Sequence, residues 1–214
     1  MIIKKIRHCC FTIKINNTTF ITDPGSFTVP DEMMRADALL LSHEHEDHYV
    51  PENIQALIKL NPDLKIYTNE PVHELLKDEN IESEVMAGGD VLEYEGISIQ
   101  AVGEWHEEIY EQFGMVKNIG FYIDEKVFFP GDAFNPIDFT PAVAMFCIAA
   151  PFTQAKKSLL YAQSLGARVV IPMHEAILVP GLQEVHVKIA DNAFSTHETQ
   201  LVPLSEGGEY THVG

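Results

Sequence analysis

Six consecutive residues, His43 to His48, contain three histidines and one aspartate in the order His-Glu-His-Glu-Asp-His. Neutral imidazole nitrogens and carboxylate oxygens bind zinc, and they also bind manganese or iron. His43 and His45 are two residues apart, so in an extended or tightly turned backbone both rings can bind one ion. Asp47 and His48 follow and can face a second ion. The alternative is a solvated loop with incidental histidines.

The elements around this cluster favour the metal site. An apolar run, 38–41, leads directly into it and predicts a buried strand. A helical zinc motif would instead need a four-residue spacing, as in His-Glu-x-x-His. Strands stop at a ligand-type residue in five places along the chain: Asp23, 43–48, His106, Asp132 and His174. If these strand ends share one sheet edge, the five loops meet there, as rigid scaffolds commonly present chemistry.

The rest of the chain predicts alternating strands and helices and no linker, so we expect one domain over residues 1–214. Residues 2–22 predict two strands joined by a turn at Asn16-Asn17. Further strands are predicted at 38–41, 64–67, 91–95, 97–103, 119–123, 126–129, 143–149, 168–171 and 199–204. Helices are predicted at 52–60, 71–78, 152–165 and 181–193. Residues 104–118 predict a polar loop with aromatics.

The composition narrows the possible partners and compartment. The 214 residues carry 14 Lys+Arg against 32 Asp+Glu, a formal net charge of −18. Nucleic-acid binding proteins usually show a basic face, so we expect no nucleic-acid partner. The three cysteines form no disulfide framework, and the N-terminus lacks the apolar core of a signal peptide. We therefore expect a soluble, cytoplasmic protein without a membrane partner, free to form a homo-oligomer.

Taken together, the motifs resemble the metallo-β-lactamase superfamily. The resemblance rests on four segments: the 43–48 cluster with Leu41-Ser42 before it, 22–24 (Thr-Asp-Pro), 130–132 (Pro-Gly-Asp) and 171–174 (Ile-Pro-Met-His). They are similar to its short metal-dependent hydrolase branch, which includes the ascorbate-phosphate lactonase-like proteins. The resemblance spans roughly residues 5 to 205. It implies an α+β fold, a four-layer αββα sandwich of two mixed sheets with helices outside and two metal ions at the sheet edge.

The resemblance also implies a role for eight residues. It implies that His43, His45 and His106 bind a first ion and that Asp47, His48 and His174 bind a second. Asp132 would bridge both ions. Asp23 would brace the histidine loop through hydrogen bonds, because a ligating imidazole needs its other nitrogen fixed. The cofactor implied is a pair of divalent ions, zinc first, with manganese or iron as alternatives.

Three further residues are candidates to contact the substrate: His8, Tyr110 and Lys117. His8 ends the first strand, where similar proteins often carry a histidine, although a structural role is the alternative. Cys9 and Cys10 are expected to be small core residues. Trp105 is expected in the core rather than as a substrate platform. Four histidines are expected on surfaces: His73, His186, His197 and His212.

The function predicted from these features is hydrolysis at a dinuclear metal site. Two cations that share a water lower its pKa toward neutrality, and Asp47 could orient that nucleophile or shuttle its proton. The substrate expected is a small ester, lactone or phosphoester metabolite. The acidic 104–111 segment would repel a highly anionic ligand unless its side chains point away. Alternatives are an iron-dependent oxidoreductase, a phosphodiesterase or nuclease, and a non-catalytic metal-binding protein.

Overall fold

The structure, a computed structural model, describes residues 1–213. Its first sheet has seven strands in the order β14-β1-β2-β3-β4-β5-β6. These strands are β1 (Ile2–Arg7), β2 (Cys10–Ile15), β3 (Thr18–Thr22), β4 (Ala38–Leu41), β5 (Lys65–Thr68), β6 (Glu84–Val85) and β14 (Glu209–Thr211). The pairs from β14 to β3 are antiparallel and those from β3 to β6 are parallel.

The second sheet also has seven strands, in the order β13-β12-β11-β10-β9-β8-β7. They are β7 (Val91–Tyr94), β8 (Ile97–Val102), β9 (Gly120–Ile123), β10 (Val127–Phe129), β11 (Val143–Cys147), β12 (Val169–Met173) and β13 (Gln200–Leu201). The pairs from β7 to β10 are antiparallel, and those from β10 to β13 are parallel. Both sheets are therefore mixed, and they share one pattern of pairing.

Four α-helices cover the outer faces of the sheets: α1 (Pro51–Leu60), α2 (Glu70–Asp78), α3 (Ala155–Ser164) and α4 (Pro180–Phe194). Leu57 of α1 and Leu76 of α2 pack with Leu39 on the first sheet. Ala162 of α3 and Ala190 of α4 pack in a cluster on the second sheet. Side chains alternate between the two faces of a sheet along each strand. One face of each sheet therefore packs against helices, and the other face packs against the second sheet.

A third apolar cluster joins the inner faces of the two sheets. Phe11 and Phe20 from the first sheet are fully buried in it with Phe121, Phe129 and Met145 from the second. Two sheets face to face with helices outside make a four-layer αββα sandwich. The predicted α+β sandwich fold is thus confirmed.

Several element predictions were wrong at their edges. Residues 2–22 form three strands rather than two, because a tight turn at His8 and Cys9 separates β1 from β2. The helix predicted at 152–165 is α3, which begins at Ala155 and not at Phe152. Strands β6 and β14 were missed because segments of two or three residues carry too little alternation to detect.

Two side chains lie elsewhere than expected. Trp105 is 40% exposed, so the prediction that it belongs to the core is wrong. His212 is buried, because its backbone pairs with Met1 beside β1, so the surface prediction for it is also wrong. Cys9 and Cys10 are buried, as predicted. None of the helices within residues 1–213 combines the length and hydropathy that a bilayer-crossing segment requires.

Candidate metal centre

The two sheets bring their loops together at one edge of the sandwich. Asp23 directly follows β3, and the 43–48 cluster follows β4, both in the first sheet. Asp132 follows β10 and His174 directly follows β12, both in the second sheet, and His106 lies four residues beyond β8. The structure thus gathers side chains from distant parts of the sequence at the junction of both sheets.

Asp132 lies at the middle of the gathered residues. Its Oδ2 atom is 2.9 Å from Nε2 of His174, 3.4 Å from Nε2 of His48 and 3.5 Å from Nε2 of His106. The Asp132 side chain is only 2% exposed. One oxygen of a buried carboxylate thus lies 2.9–3.5 Å from three ring nitrogens.

The remaining ligand-type atoms form two groups on either side of that carboxylate. His43, His45 and His106 place ligand atoms within 4.8 Å of one another, with Nε2 of His43 3.0 Å from Nδ1 of His45. Asp47, His48 and His174 form a second such group with Asp132. In it, Oδ2 of Asp47 is 3.2 Å from Nε2 of His174 and 3.8 Å from Nε2 of His48. The structure therefore brings all seven side chains of the predicted ligand set together.

These residues fit divalent ions because several of their polar atoms are buried without a well-aligned hydrogen bond. The atoms are Nε2 of His48, His106 and His174 and Oδ1 of Asp132. A buried polar atom without a partner costs free energy, of the order of 1–3 kcal/mol each. Cations bound among these atoms would satisfy them at once, and imidazole nitrogens with carboxylate oxygens are suitable donors for zinc, manganese or iron.

Main-chain carbonyl groups orient two of the imidazoles. Nδ1 of His174 donates to the carbonyl of Ala149 at 2.7 Å, and Nδ1 of His106 donates to the carbonyl of Glu107. A carbonyl only accepts, so Nδ1 of each ring must carry the proton. In the neutral ring, Nε2 then presents a lone pair toward the cluster, as a metal ligand must.

Asp23 and Ser42 orient two others. Oδ2 of Asp23 lies 2.7 Å from Nδ1 of His48, and Nδ1 of His43 lies 2.9 Å from Oγ of Ser42. Ser42 donates its backbone N–H to Oδ1 of Asp23 at 2.8 Å and its hydroxyl to Oδ2 at 2.5 Å. The sequence placed Asp23 beside the histidine loop, whereas Ser42 was part of the motif without a predicted role.

Backbone strain and close packing accompany these contacts. Asp23, His8 and His174 adopt positive φ values of 31°, 55° and 69°, a region that non-glycine residues rarely occupy. Gly131 has φ +61°, and a Cβ there would lie 2.3 Å from Oδ1 of Asn118. Strained residues of this kind concentrate at functional sites, where the surrounding structure holds them in place.

Three buried asparagines hold the loops, a role that was not predicted from the sequence. Asn118 donates to the carbonyl of Pro130 and accepts from the backbone N–H of Asp132, both at 3.0 Å. Asn69 donates to the carbonyl of Ser42 at 2.9 Å, and Asn53 donates to the carbonyls at positions 24 and 25. A single asparagine carries no periodic signal, although asparagine in an apolar stretch could have suggested a buried hydrogen bond.

The three candidate substrate residues lie in different surroundings. His8 is 1% exposed, and its Nε2 is 3.4 Å from Oδ2 of Asp47, so it borders the cluster. Lys117 instead pairs with Glu104 and lies 3.8 Å from the ring centroid of Trp105, lining a cavity of about 260 Å³ that none of the seven ligand-type residues lines. Tyr110 is 53% exposed and packs edge-on against Phe113.

The electrostatics couple the histidines to the carboxylates. Burial alone would lower the pKa of His48, but Asp132 and Asp23 outweigh it and raise the pKa to about 10. Burial also opposes ionisation of Asp132, yet His174 and His48 hold the pKa of that carboxyl well below its usual range. Burial lowers the pKa of His8 to about 4 and prevails over the nearby Asp47 carboxylate, which acts to raise it, so His8 is neutral at pH 7.

Comparisons with known proteins agree with this architecture. The family described as "Beta-lactamase superfamily domain" matches residues 2–174. The chain is 27% identical over 182 residues to the UPF0173 metal-dependent hydrolase Ta0764 of Thermoplasma acidophilum, covering 78% of this chain and 80% of that protein. It is 25% identical over 186 residues to Protein Rv0786c of Mycobacterium tuberculosis, covering 84% and 86%.

A solved structure shows the same fold over the full length. Igni18, described as a novel metallo hydrolase from the hyperthermophilic archaeon Ignicoccus hospitalis, superimposes with a TM-score of 0.77 at 18% sequence identity. The match covers 100% of both chains. At 18% sequence identity, this structural similarity establishes the fold alone.

Proposed function

Because the chain belongs to the beta-lactamase superfamily, we propose that it is a metal-dependent hydrolase with a dinuclear centre. The observation that carries the proposal is the position of Asp132, whose Oδ2 lies 2.9–3.5 Å from ring nitrogens of both histidine groups. A carboxylate in that position can bridge two cations. The name of the relative Ta0764, a metal-dependent hydrolase, supports the same reaction class.

The residues divide into two binding groups in this proposal. His43, His45 and His106 would hold one cation, and Asp47, His48 and His174 would hold the other, with Asp132 between them. Zinc is our first choice because the site is rich in imidazole, with manganese or iron as the alternatives. When bound, a pair of divalent cations lowers the pKa of water toward neutrality and polarises the group that is attacked.

The chain's own residues supply orientation and proton transfer. Asp47 is 26% exposed while His48, His174 and Asp132 are almost fully buried, so Asp47 is the ligand carboxylate that solvent and substrate can reach. We assign it to orient the attacking water and accept its proton. Asp23, Ser42 and two main-chain carbonyls keep the rings in place, which avoids reorganisation during the reaction.

The substrate in this proposal is a small ester, lactone or phosphoester rather than a nucleic acid. The net charge of −18 supports the exclusion of a long polyanion. We also propose a reducing, cytoplasmic location, which the three free buried cysteines at positions 9, 10 and 147 support.

Metal analysis together with a substrate panel tests the function. Protein purified without added metal should contain up to two ions per chain, and after zinc or manganese is restored it should hydrolyse a member of a panel of lactones, thioesters and phosphodiesters. Asp132→Ala and His45→Ala should lose metal and activity together. His73→Ala should lose neither, because His73 lies on α2 and forms a hydrogen bond with Ser83. Normal metal content and turnover in both ligand variants would refute the assignment. Two irons with a visible absorption band would favour an oxidoreductase instead.

A further inference from the structure

One phenylalanine ring lies against two imidazoles of the predicted ligand set, and a second lies against His8, which borders that set. The ring of Phe27 is 4.4 Å from that of His8 between centroids. The ring of Phe152 is 4.9 Å from that of His106 and 6.2 Å from that of His174. Both phenylalanines are only half-buried, so apolar surface stays accessible beside the ligand atoms.

Hydrogen bonds and ring packing hold both phenylalanines in position. Phe27 lies in a turn that is closed by the Thr28 N–H donating to the Gly25 carbonyl at 3.0 Å. Phe152 packs against Phe134 with ring centroids 5.9 Å apart. Because both rings are already fixed, a ligand that covers them pays little ordering cost.

Four cationic side chains in the described part of the chain are already paired with glutamates. The pairs are Lys5 with Glu175, Arg7 with Glu206, Lys117 with Glu104, and Lys157 with Glu107. Sites for phosphorylated ligands usually present free arginine or lysine to the phosphate oxygens. These four cations are already matched by anions, and the net charge of the chain is −18, so a neutral substrate fits these surroundings better than an anionic one.

From these contacts we propose that Phe27 and Phe152 bind the uncharged hydrocarbon part of the substrate while its reactive carbonyl lies at the metal centre. The inference rests on the proposed function for the place of the reactive group. It narrows the substrate class to neutral carboxylic esters, thioesters or lactones with an apolar acyl chain, and it removes phosphorylated metabolites from that class.

Alkyl hydroxamates test the proposal without any turnover. Their head group chelates a metal ion while the tail length varies, so acetohydroxamate, butyrohydroxamate and hexanohydroxamate compare the tail alone. With zinc-loaded protein, isothermal titration calorimetry should show Kd falling about fourfold for each methylene group, as expected for the burial of one CH2 group. An equal Kd for all three compounds would overturn the proposal.

Matched variants connect that trend to the two rings. Phe27→Ala and Phe152→Ala should each flatten the dependence of Kd on tail length and leave the Kd of acetohydroxamate within about twofold of the parent protein. Phe139→Ala is the control, because Phe139 is also half-buried but stacks on Tyr122 with centroids 3.8 Å apart. It should keep the full dependence. The same flattening in Phe139→Ala, or no flattening in the other two, would contradict the proposal.

A hydroxamate with a charged tail tests whether the proposed site disfavours anionic substrates. Succinic monohydroxamate replaces the terminal methyl group of butyrohydroxamate by a carboxylate, and we expect it to bind at least tenfold more weakly. Equal or tighter binding would overturn the neutral-substrate proposal. The hydrolase proposal fails separately, if the zinc-loaded protein hydrolyses no compound of the panel while the dependence on tail length persists. Turnover without any such dependence would refute the apolar site alone.

Discussion

Nδ1 of His48 lies 2.7 Å from Oδ2 of Asp23, and both side chains are completely buried. The same carboxylate accepts two hydrogen bonds from Ser42, at the start of the histidine loop. Asp23 therefore fixes the direction of a ring in the predicted ligand set, to which Asp23 itself does not belong.

We expect Asp23→Asn to weaken metal binding by about 10–100-fold, because the amide has only one acceptor oxygen for the His48 ring and the two Ser42 donors that the carboxylate now serves. Competition with a chromophoric chelator measures the affinity. Asp31→Asn, at an exposed aspartate in the following loop, is the control and should bind metal like the parent protein. Unchanged affinity in Asp23→Asn would show that Asp23 does not orient the ligands.

Metal binding should release protons. At pH 7 the metal-free site holds His48 protonated, with a pKa raised to about 10, and the carboxylate of Asp132 raises the pKa of His174 against the effect of burial. A ligating nitrogen must lose its proton, so loading with zinc should release at least one proton and the affinity should rise with pH. Calorimetry in buffers of different ionisation enthalpy counts the protons. No release at pH 7 would contradict the charge assignment.

The stability of the metal-free chain should depend on pH in a defined direction. His48 has an unfolded pKa of about 6.5 and a folded pKa raised to about 10, so its contribution is fully present below the unfolded value and is lost as pH rises through about 10. We expect the Tm of metal-free protein to fall between pH 7 and 10. The zinc-loaded protein should show a smaller fall, because its His48 no longer titrates.

Gly131→Ala should destabilise the fold by more than backbone strain alone. Gly131 has φ +61°, and its Cβ would lie 2.7 Å from Cβ of Ser42 and 2.3 Å from Oδ1 of Asn118. Gly96→Ala is a matched control, since Gly96 has φ +73° with nothing within 4 Å. We expect urea unfolding to show a loss of about 1 kcal/mol for Gly96→Ala and at least twice that for Gly131→Ala. Equal losses would mean that the turn and Ser42 move apart easily.

His8 should hold Asp47 in place. Its Nε2 is 3.4 Å from Oδ2 of Asp47, and its neutral ring can donate one N–H to that carboxylate. We expect His8→Ala to lower the affinity of the second ion, bound by Asp47, and to leave the first ion, bound by His43 and His45, in place. Titration followed by elemental analysis should then give one tightly bound ion per chain. Two tightly bound ions in the variant would refute this role.

Glu175→Ala should destabilise the protein more than Lys5→Met. Lys5 is 1% exposed, its Nζ is 2.5 Å from Oε1 of Glu175, and it donates to the carbonyl of Pro172 at 3.1 Å. Removing the glutamate leaves a buried ammonium without its counter-charge, which costs about 3 kcal/mol or more. Methionine at position 5 keeps the volume and removes the charge. Urea unfolding measures the loss of stability in both variants. A smaller loss for Glu175→Ala than for Lys5→Met would contradict the prediction.

The site could be predicted because several of its ligand-type residues follow closely after strands that have a strong local signal. The apolar run 38–41 before His43, and the apolar strand before His174, mark their elements without knowledge of the tertiary structure. The αββα architecture, by contrast, came from the resemblance of the motifs, since alternating strands and helices alone do not define how two sheets pack. The single-domain boundary and the role of each ligand stay predictions.

The features that were not predicted from the sequence depend on contacts between distant segments. The turn at His8 and Cys9 contains no glycine, proline or asparagine, and its positive φ at His8 is held by the tertiary structure. Phe152 has the spacing of a helix core residue, yet it lies outside α3 and against His106. The acceptors of His106 and His174 are peptide oxygens, which every residue carries, so no side-chain pattern could reveal them.

Those peptide oxygens have a consequence for how the site tolerates mutation. The identity of the residue at 107 or 149 can change without deleting the carbonyl that holds its histidine, so a saturation library should accept varied residues there. Asp23 and Ser42 act through side-chain atoms. Functional members of the same library should therefore retain almost only the original residue at positions 23 and 42. Natural drift would then leave the halves of one catalytic centre with very different sequence diversity.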